Sequence, residues 1–148
     1  MSDLLFLDDL APGQSFTTDS YEMTLEAIVA FAREFDPQPF HLDAAAAEAS
    51  FFGRLAASGW HTAAVSMRLL ITSGPQMAGG MIGAGGELAW PQPTWPGDVL
   101  RVVSTIEAVK PSRSRPDRGM ILMRNETRNQ RDEVVQLFRP HVVALRRP

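Results

Sequence analysis

At 148 residues the chain fits a single domain, 1–148, because one hydrophobic core commonly spans about 100 to 200 residues. Its 45% hydrophobic and 21% charged composition excludes the disordered class, and the lack of any cysteine excludes disulfides, thiolate catalysis and cysteine-held zinc. The formal net charge of -3 argues against a dedicated nucleic-acid binder. The N-terminal run Met1-Ser-Asp-Leu-Leu-Phe-Leu-Asp-Asp carries acids where a signal peptide needs bases. No apolar stretch approaches the ~20 residues that span a bilayer, so the sequence predicts a cytoplasmic protein with no membrane partner.

Residues 13–23 alternate roughly between apolar and polar and include Phe16, Thr17 and Tyr21, which predicts a half-buried strand. Thr24 suits a helix N-cap, and Ile28, Phe31, Ala32 and Phe35 follow at the spacing of an amphipathic helix. Pro37 and Pro39 disfavour helical geometry at the residues before them. The helix therefore ends near Phe35, and Asp36 to His41 forms a stiff, non-helical corner. An alanine-rich turn or short helix is expected over 43–50. Gly59 to Thr72, with small or apolar residues on nearly every side, reads as a helix buried all round. The glycine-rich stretch 74–86 reads as a loop. Strands follow at 87–90 extended towards Thr94, at 99–110, at 120–128 and at 133–145, where Pro140 asks for a bulge or an edge position. Pro96-Gly97-Asp98 and residues 129–132 supply the turns. The order predicts an α+β architecture, an antiparallel sheet wrapped around one central helix.

The corner places Asp36 and His41 on either side of a Pro-x-Pro segment, which holds two titratable groups in place as general acid/base chemistry requires. Asp36 follows a helix C-terminus, whose partial negative charge is expected to push a carboxyl pKa upward. Residue types alone leave these positions open between packing and catalysis. Gly80 to Gly86 resembles a phosphate loop, but it precedes a strand instead of opening a helix. His41, Asp36 and Asp43, with His61 and His141 in other elements, lack metal-ligand spacing, so neither a metal nor a cofactor is expected. His61 reads as a satisfied core or pocket histidine, and Trp60, Met67, Met77 and Met81 as core or pocket lining.

Phe35-Asp36-Pro37-Gln38-Pro39-Phe40-His41-Leu42-Asp43 resembles the MaoC-like hydratase signature, in which Asp, a variable residue, Asn, Pro, an aliphatic residue and His occur in this order. The likeness extends to Ala57-Ser58-Gly59-Trp60-His61-Thr62 and to Trp95-Pro96-Gly97-Asp98. The resemblance implies a hot dog fold, a homodimer, and action on 2-enoyl or 3-hydroxyacyl thioesters of coenzyme A or acyl carrier protein. It further implies Asp36 and His41 as the catalytic pair and the Gly59 backbone N–H as the donor to the thioester oxygen. Gly59 sits at the start of a helix, where unpaired N–H groups and the dipole favour an anion. Two positions depart from the pattern. Gln38 stands for the usual Asn, as a possible orienting residue, and Phe40 for a smaller aliphatic residue, which implies an altered pocket.

Two other functions fit the same fold. A hot dog thioesterase typically draws a carboxylate from the central helix, and Trp60 to Ile71 contains no Asp or Glu. A non-catalytic acyl-thioester binding subunit has the Gln38 departure in its favour. Charge is unevenly spread, with 10 basic and 4 acidic residues after position 109. This predicts either solvated strand faces or an anion site. Arg113, Arg115 and Arg118, between two strands, are candidates to contact the phosphates of the carrier.

Overall fold

The computed structural model describes residues 3–148; Met1 and Ser2, part of the acidic N-terminal run, lie outside the described residues. Residues 13–23 form two short strands, β1 (Ser15–Thr17) and β2 (Tyr21–Glu22), instead of one. Between them Thr18 bonds the opposing strand twice, its N–H donating to Val102 O and its Oγ1 accepting from Val102 N–H. Helix α1 (Leu25–Phe35) begins on Thr24, whose hydroxyl accepts from Ala27 N–H, and ends at Asp36, as the proline spacing predicts. Its stripe is shorter than expected: Ile28 and Ala32 are buried, but Phe35 is 65% exposed.

The corner is not wholly extended. Pro39 occupies the first turn of a one-turn helix, α2 (Pro39–Leu42), behind Gln38, a place where its missing N–H costs nothing. His41 is therefore helical. The alanine-rich segment forms α3 (Ala44–Glu48), capped by the Asp43 side chain.

Helix α4 (Gly59–Ser73) begins on Ser58, whose Oγ accepts from Trp60 N–H. It buries His61, Thr62, Val65, Ser66, Leu69 and Leu70 but exposes Trp60, Met67 and Ile71. It is thus amphipathic, not buried all round, and the exposed side is apolar too. Strand β3 (Ile82–Ala89) takes up part of the glycine-rich stretch read as loop; β4 (Val99–Pro111), β5 (Arg118–Arg128) and β6 (Val134–Leu145) follow.

The strands make one antiparallel sheet in the order β1-β4-β5-β6-β3, with β2 also on β4. Strict alternation of buried positions along β5, from Gly119 to Asn129, shows one face turned to the core. Pro140 lies in an interior strand, not at an edge. The β5–β6 ladder stops after Leu122↔His141 and resumes at Asn125↔Phe138, and β3 shifts register between Gly83 and Gly85. A proline without an N–H is accommodated by that gap.

Two clusters fill the space between the helices and the sheet. Met23, Ile28, Leu69, Leu70, Leu100, Val102 and Val135 pack at one end. Leu7, Met77, Ile106, Ile121, Met123 and Val142 pack at the other. Among the described residues no helix is long and apolar enough to cross a membrane.

Candidate active site

The end of α1, the one-turn α2 and the start of α4 meet at Asp36. Its Oδ2 accepts from Ser58 Oγ at 2.7 Å and its Oδ1 from Gln38 Nε2 at 2.6 Å. His41 Nε2 lies 3.3 Å from Oδ2. The other ring nitrogen, Nδ1, is 2.6 Å from Ala56 O. A carbonyl can only accept, so Nδ1 carries the proton, and Nε2 is the nitrogen left to exchange one with Asp36 or a bound molecule. His41 is 4% exposed, and its ring is held by the edge of Phe40, centroids 4.5 Å apart.

The expected upward push on Asp36 is overturned. Burial does raise its carboxyl pKa, but donation from Ser58 and Gln38 and the proximity of His41 outweigh it, leaving the carboxyl below its ordinary value. Hydrogen bonds to the charged form win over desolvation here. The glutamine in place of the family's Asn reaches the carboxylate directly.

A cavity of about 540 Å³ opens beside this pair, walled by Gln38, Phe40, His41, Phe52, Gly59 and Trp90. Asp36 does not line the cavity itself, but its side chain is more exposed than that of His41. Gly59 is the first residue of α4, so its N–H has no intrahelical acceptor. The Trp90 ring lies against it, 2.6 Å from where a Cβ would be, so no larger residue fits without moving the indole. Trp90 Nε1 donates to Gln136 Oε1 at 3.0 Å.

A second cavity of about 290 Å³ lies beyond Trp90, between α4 and the sheet, lined by Trp60, Ser66, Met67, Leu70, Asn125 and Phe138 among others. Trp60 and Met67 are therefore pocket residues and Met77 a core residue; Met81 lines a smaller neighbouring cavity. His61 packs in the core, stacked on Phe31 at 4.7 Å. It is not satisfied as expected: its Nδ1 has no partner among the described residues, and burial lowers its pKa.

Trp95-Pro96-Gly97-Asp98 forms a turn, closed by Asp98 Oδ2 accepting from Trp95 N–H with Gly97 at positive φ. Arg113, Arg115 and Arg118 are not brought to the cavity of their own chain. They lie on or beside the β4–β5 hairpin, whereas the cavity lies level with Val102, which faces Thr127 and through it Gln136. Nine residues of β4 separate the two, about 30 Å. Arg118 pairs with Asp117 at 3.1 Å. Sequence reasoning missed Ser58, Trp90 and the Ala56 carbonyl. Only Ser58, directly before the helix-starting glycine, carried a signal, that of an N-cap.

Residues 9–121 match the family model described as the MaoC like domain. The chain belongs to the MaoC-like family. It is similar to the MaoC-like dehydratase of Rhodospirillum rubrum, with 58% identity, a TM-score of 0.96, and coverage of 97% of this chain and 99% of that one. Sequence similarity also extends to an uncharacterised Bacillus subtilis protein, YdeM, 33% identical over 85% of this chain and 89% of that protein. An unliganded R-hydratase of Pseudomonas aeruginosa shares the fold at 24% identity, with a TM-score of 0.77 over 96% of this chain and 86% of that one. The MaoC-like chain thus has the hot dog fold, and its family supports hydratase or dehydratase chemistry at the level of class.

Proposed function

We propose that this protein is a hydro-lyase that interconverts 2-enoyl and 3-hydroxyacyl thioesters of coenzyme A or acyl carrier protein. The observation that carries the reading is the Asp36–His41 pair, 3.3 Å apart, beside a cavity that also presents the first amide of α4. In hydration, Asp36 and Nε2 of His41 hold a water and take its proton as the oxygen adds to Cβ; a proton is then delivered to Cα. Negative charge develops on the thioester oxygen, and the Gly59 N–H at the positive end of the helix stabilises it. Dehydration is the reverse. The test is turnover of crotonyl-CoA. Asp36→Asn and His41→Ala are each expected to lower it by at least ~100-fold with an unchanged circular dichroism spectrum. A folded variant with parental turnover refutes the assignment, and release of free coenzyme A in place of hydration product would identify a thioesterase.

The working unit is a homodimer. Among the described residues strand β3 pairs only with β6, leaving an edge of the kind that proteins normally cover, and Trp60, Met67, Ile71 and Ile82 are exposed apolar residues of α4 and β3. Antiparallel pairing of β3 with its copy about a two-fold axis brings the partner's Ile82 end, level with its β4–β5 hairpin, towards the cavity end of the first chain. Only across such a dimer do Arg113, Arg115 and Arg118 approach the carrier's phosphates. Neutralising all three is expected to raise KM with little change in kcat; an unchanged KM removes the hairpin from the binding surface.

A further inference from the structure

The cavity between α4 and the sheet is lined by apolar residues apart from Ser66, Asn125 and Gln136. Asn125, on the core face of β5, lines both it and the smaller neighbouring cavity. The residue is 2% exposed, and neither its amide nitrogen nor its amide oxygen has a hydrogen-bond partner among the described residues. Directly across the β4–β5 ladder stands Ser104, 0% exposed, whose hydroxyl also has none. Of the other two polar residues of the cavity, Ser66 Oγ is committed to Thr62 O and Thr127 Oγ1, and the Gln136 oxygen accepts from Trp90 Nε1.

A buried amide left without a partner loses its hydrogen bonds to water and gains none in return. An apolar residue of similar shape would serve simple packing better, because it would leave no donor or acceptor unmade. An orphan amide at the wall of a cavity is instead suited to a group that arrives from outside. Along α4, Ser66 and Met67 lie about 11 Å beyond Gly59, a distance suited to the far part of a medium-length acyl chain whose thioester sits at Gly59. None of the cavity's lining residues is charged, and an unpaired carboxylate there would be costly to desolvate. The matching group is neutral, and an amide can both donate to and accept from it.

We propose that Asn125, supported by Ser104, is a specificity-determining residue that selects acyl tails bearing a neutral oxygen function, a hydroxyl or a carbonyl, over plain alkyl tails. The inference rests on the hydro-lyase reading only for which end of the ligand lies at Gly59.

The test compares (E)-7-hydroxyhept-2-enoyl-CoA with (E)-oct-2-enoyl-CoA, which places a methyl where the first has a hydroxyl. The parent is expected to favour the hydroxylated substrate at least ~10-fold in kcat/KM, and Asn125→Leu to move that ratio at least ~10-fold towards the alkyl substrate. Turnover of crotonyl-CoA by the parent checks the hydro-lyase reading separately. Calorimetric binding of the saturated pair, 7-hydroxyheptanoyl-CoA and octanoyl-CoA, to the parent and to the milder Ser104→Ala gives the same comparison without turnover. There the parent should favour the hydroxylated ligand, and Ser104→Ala should narrow the difference. Should crotonyl-CoA not be hydrated at all, the hydro-lyase reading fails while the binding ratio still decides the role of Asn125. Equal affinity of the parent for the two saturated ligands, a preference for octanoyl-CoA, or a ratio unmoved in Asn125→Leu overturns the proposal and leaves Asn125 a group bridged by water.

Discussion

Ser58 serves two elements with one oxygen. Its Oγ donates to Asp36 Oδ2 and accepts from Trp60 N–H, so the residue that starts α4 also holds the carboxylate. Ser58→Ala is expected to cost about 1 kcal/mol of stability through the lost cap, read from urea denaturation. It also removes one of the donors that keep Asp36 below its ordinary value. A carboxyl depressed in the folded state contributes stability that is present above its unfolded pKa, about 3.9. That contribution is lost as pH falls through the lower folded value. Ser58→Ala raises the folded value, so the Asp36 titration should move to higher pH in the variant, and the acid loss, which still begins near the unfolded pKa, should be smaller and complete at higher pH. Carboxyl NMR titration and unfolding between about pH 2 and 5 check the shift, and coincident curves for parent and variant would show that Ser58 acts only as a cap.

At the scale of elements, the pair is assembled by a chain reversal and not by one rigid segment. Helix α1 delivers Asp36 at its C-cap, α2 turns His41 back towards it, and the Ala56 carbonyl, from the stretch before α4, fixes the ring. Strand β3 is built differently, with close backbone approach in place of side-chain packing. A Cβ on Gly86 would lie 2.7 Å from Arg139 O and 2.8 Å from Pro140 Cα, both backbone atoms of the neighbouring strand. That approach is available beside Pro140, where the β5–β6 ladder is interrupted. Gly86→Ala is therefore expected to destabilise the fold by about 1–3 kcal/mol, whereas Gly83→Ala, with open space around the new atom, should cost less. Thermal unfolding of the two variants checks the order, and equal melting points would contradict it.

At the scale of the whole molecule, several exposed apolar residues gather beside one sheet edge. Exposed Trp60, Met67 and Ile71 on α4 border the free edge of β3, where Ile82 is also exposed. Covering this surface with its copy extends the sheet and removes the edge. Light scattering is expected to give about twice the 16.3 kDa chain mass, and Ile82→Glu should shift the population towards monomer by placing a charge at the buried seam. A stable parental monomer at micromolar concentration rules out the dimer and with it the hairpin's route to the carrier.

The sequence by itself determined the α+β class, the start and end of α1, the position of the central helix, the three long C-terminal strands and the place of the Asp36–His41 corner. Caps, prolines and hydrophobic spacing are local and act within a turn or two of chain. It could not determine which faces of α4 stay exposed, since an apolar residue at a cavity wall or a free edge has the same composition as one in a core. The glycine-rich strand escaped for a related reason: Gly83, Gly85 and Gly86 have no propensity for strand, and only the neighbouring β6 supplies the ladder that makes them one. The sign of the Asp36 shift was decided in three dimensions as well. The helix terminus visible in the sequence argues for a raised value, whereas Ser58, 22 residues away, supplies a donor that helps to lower it. The orphaned amide of Asn125 belongs to the same class, because a polar residue on an alternating strand reads as solvent-facing until the sheet turns that face inward beneath α4.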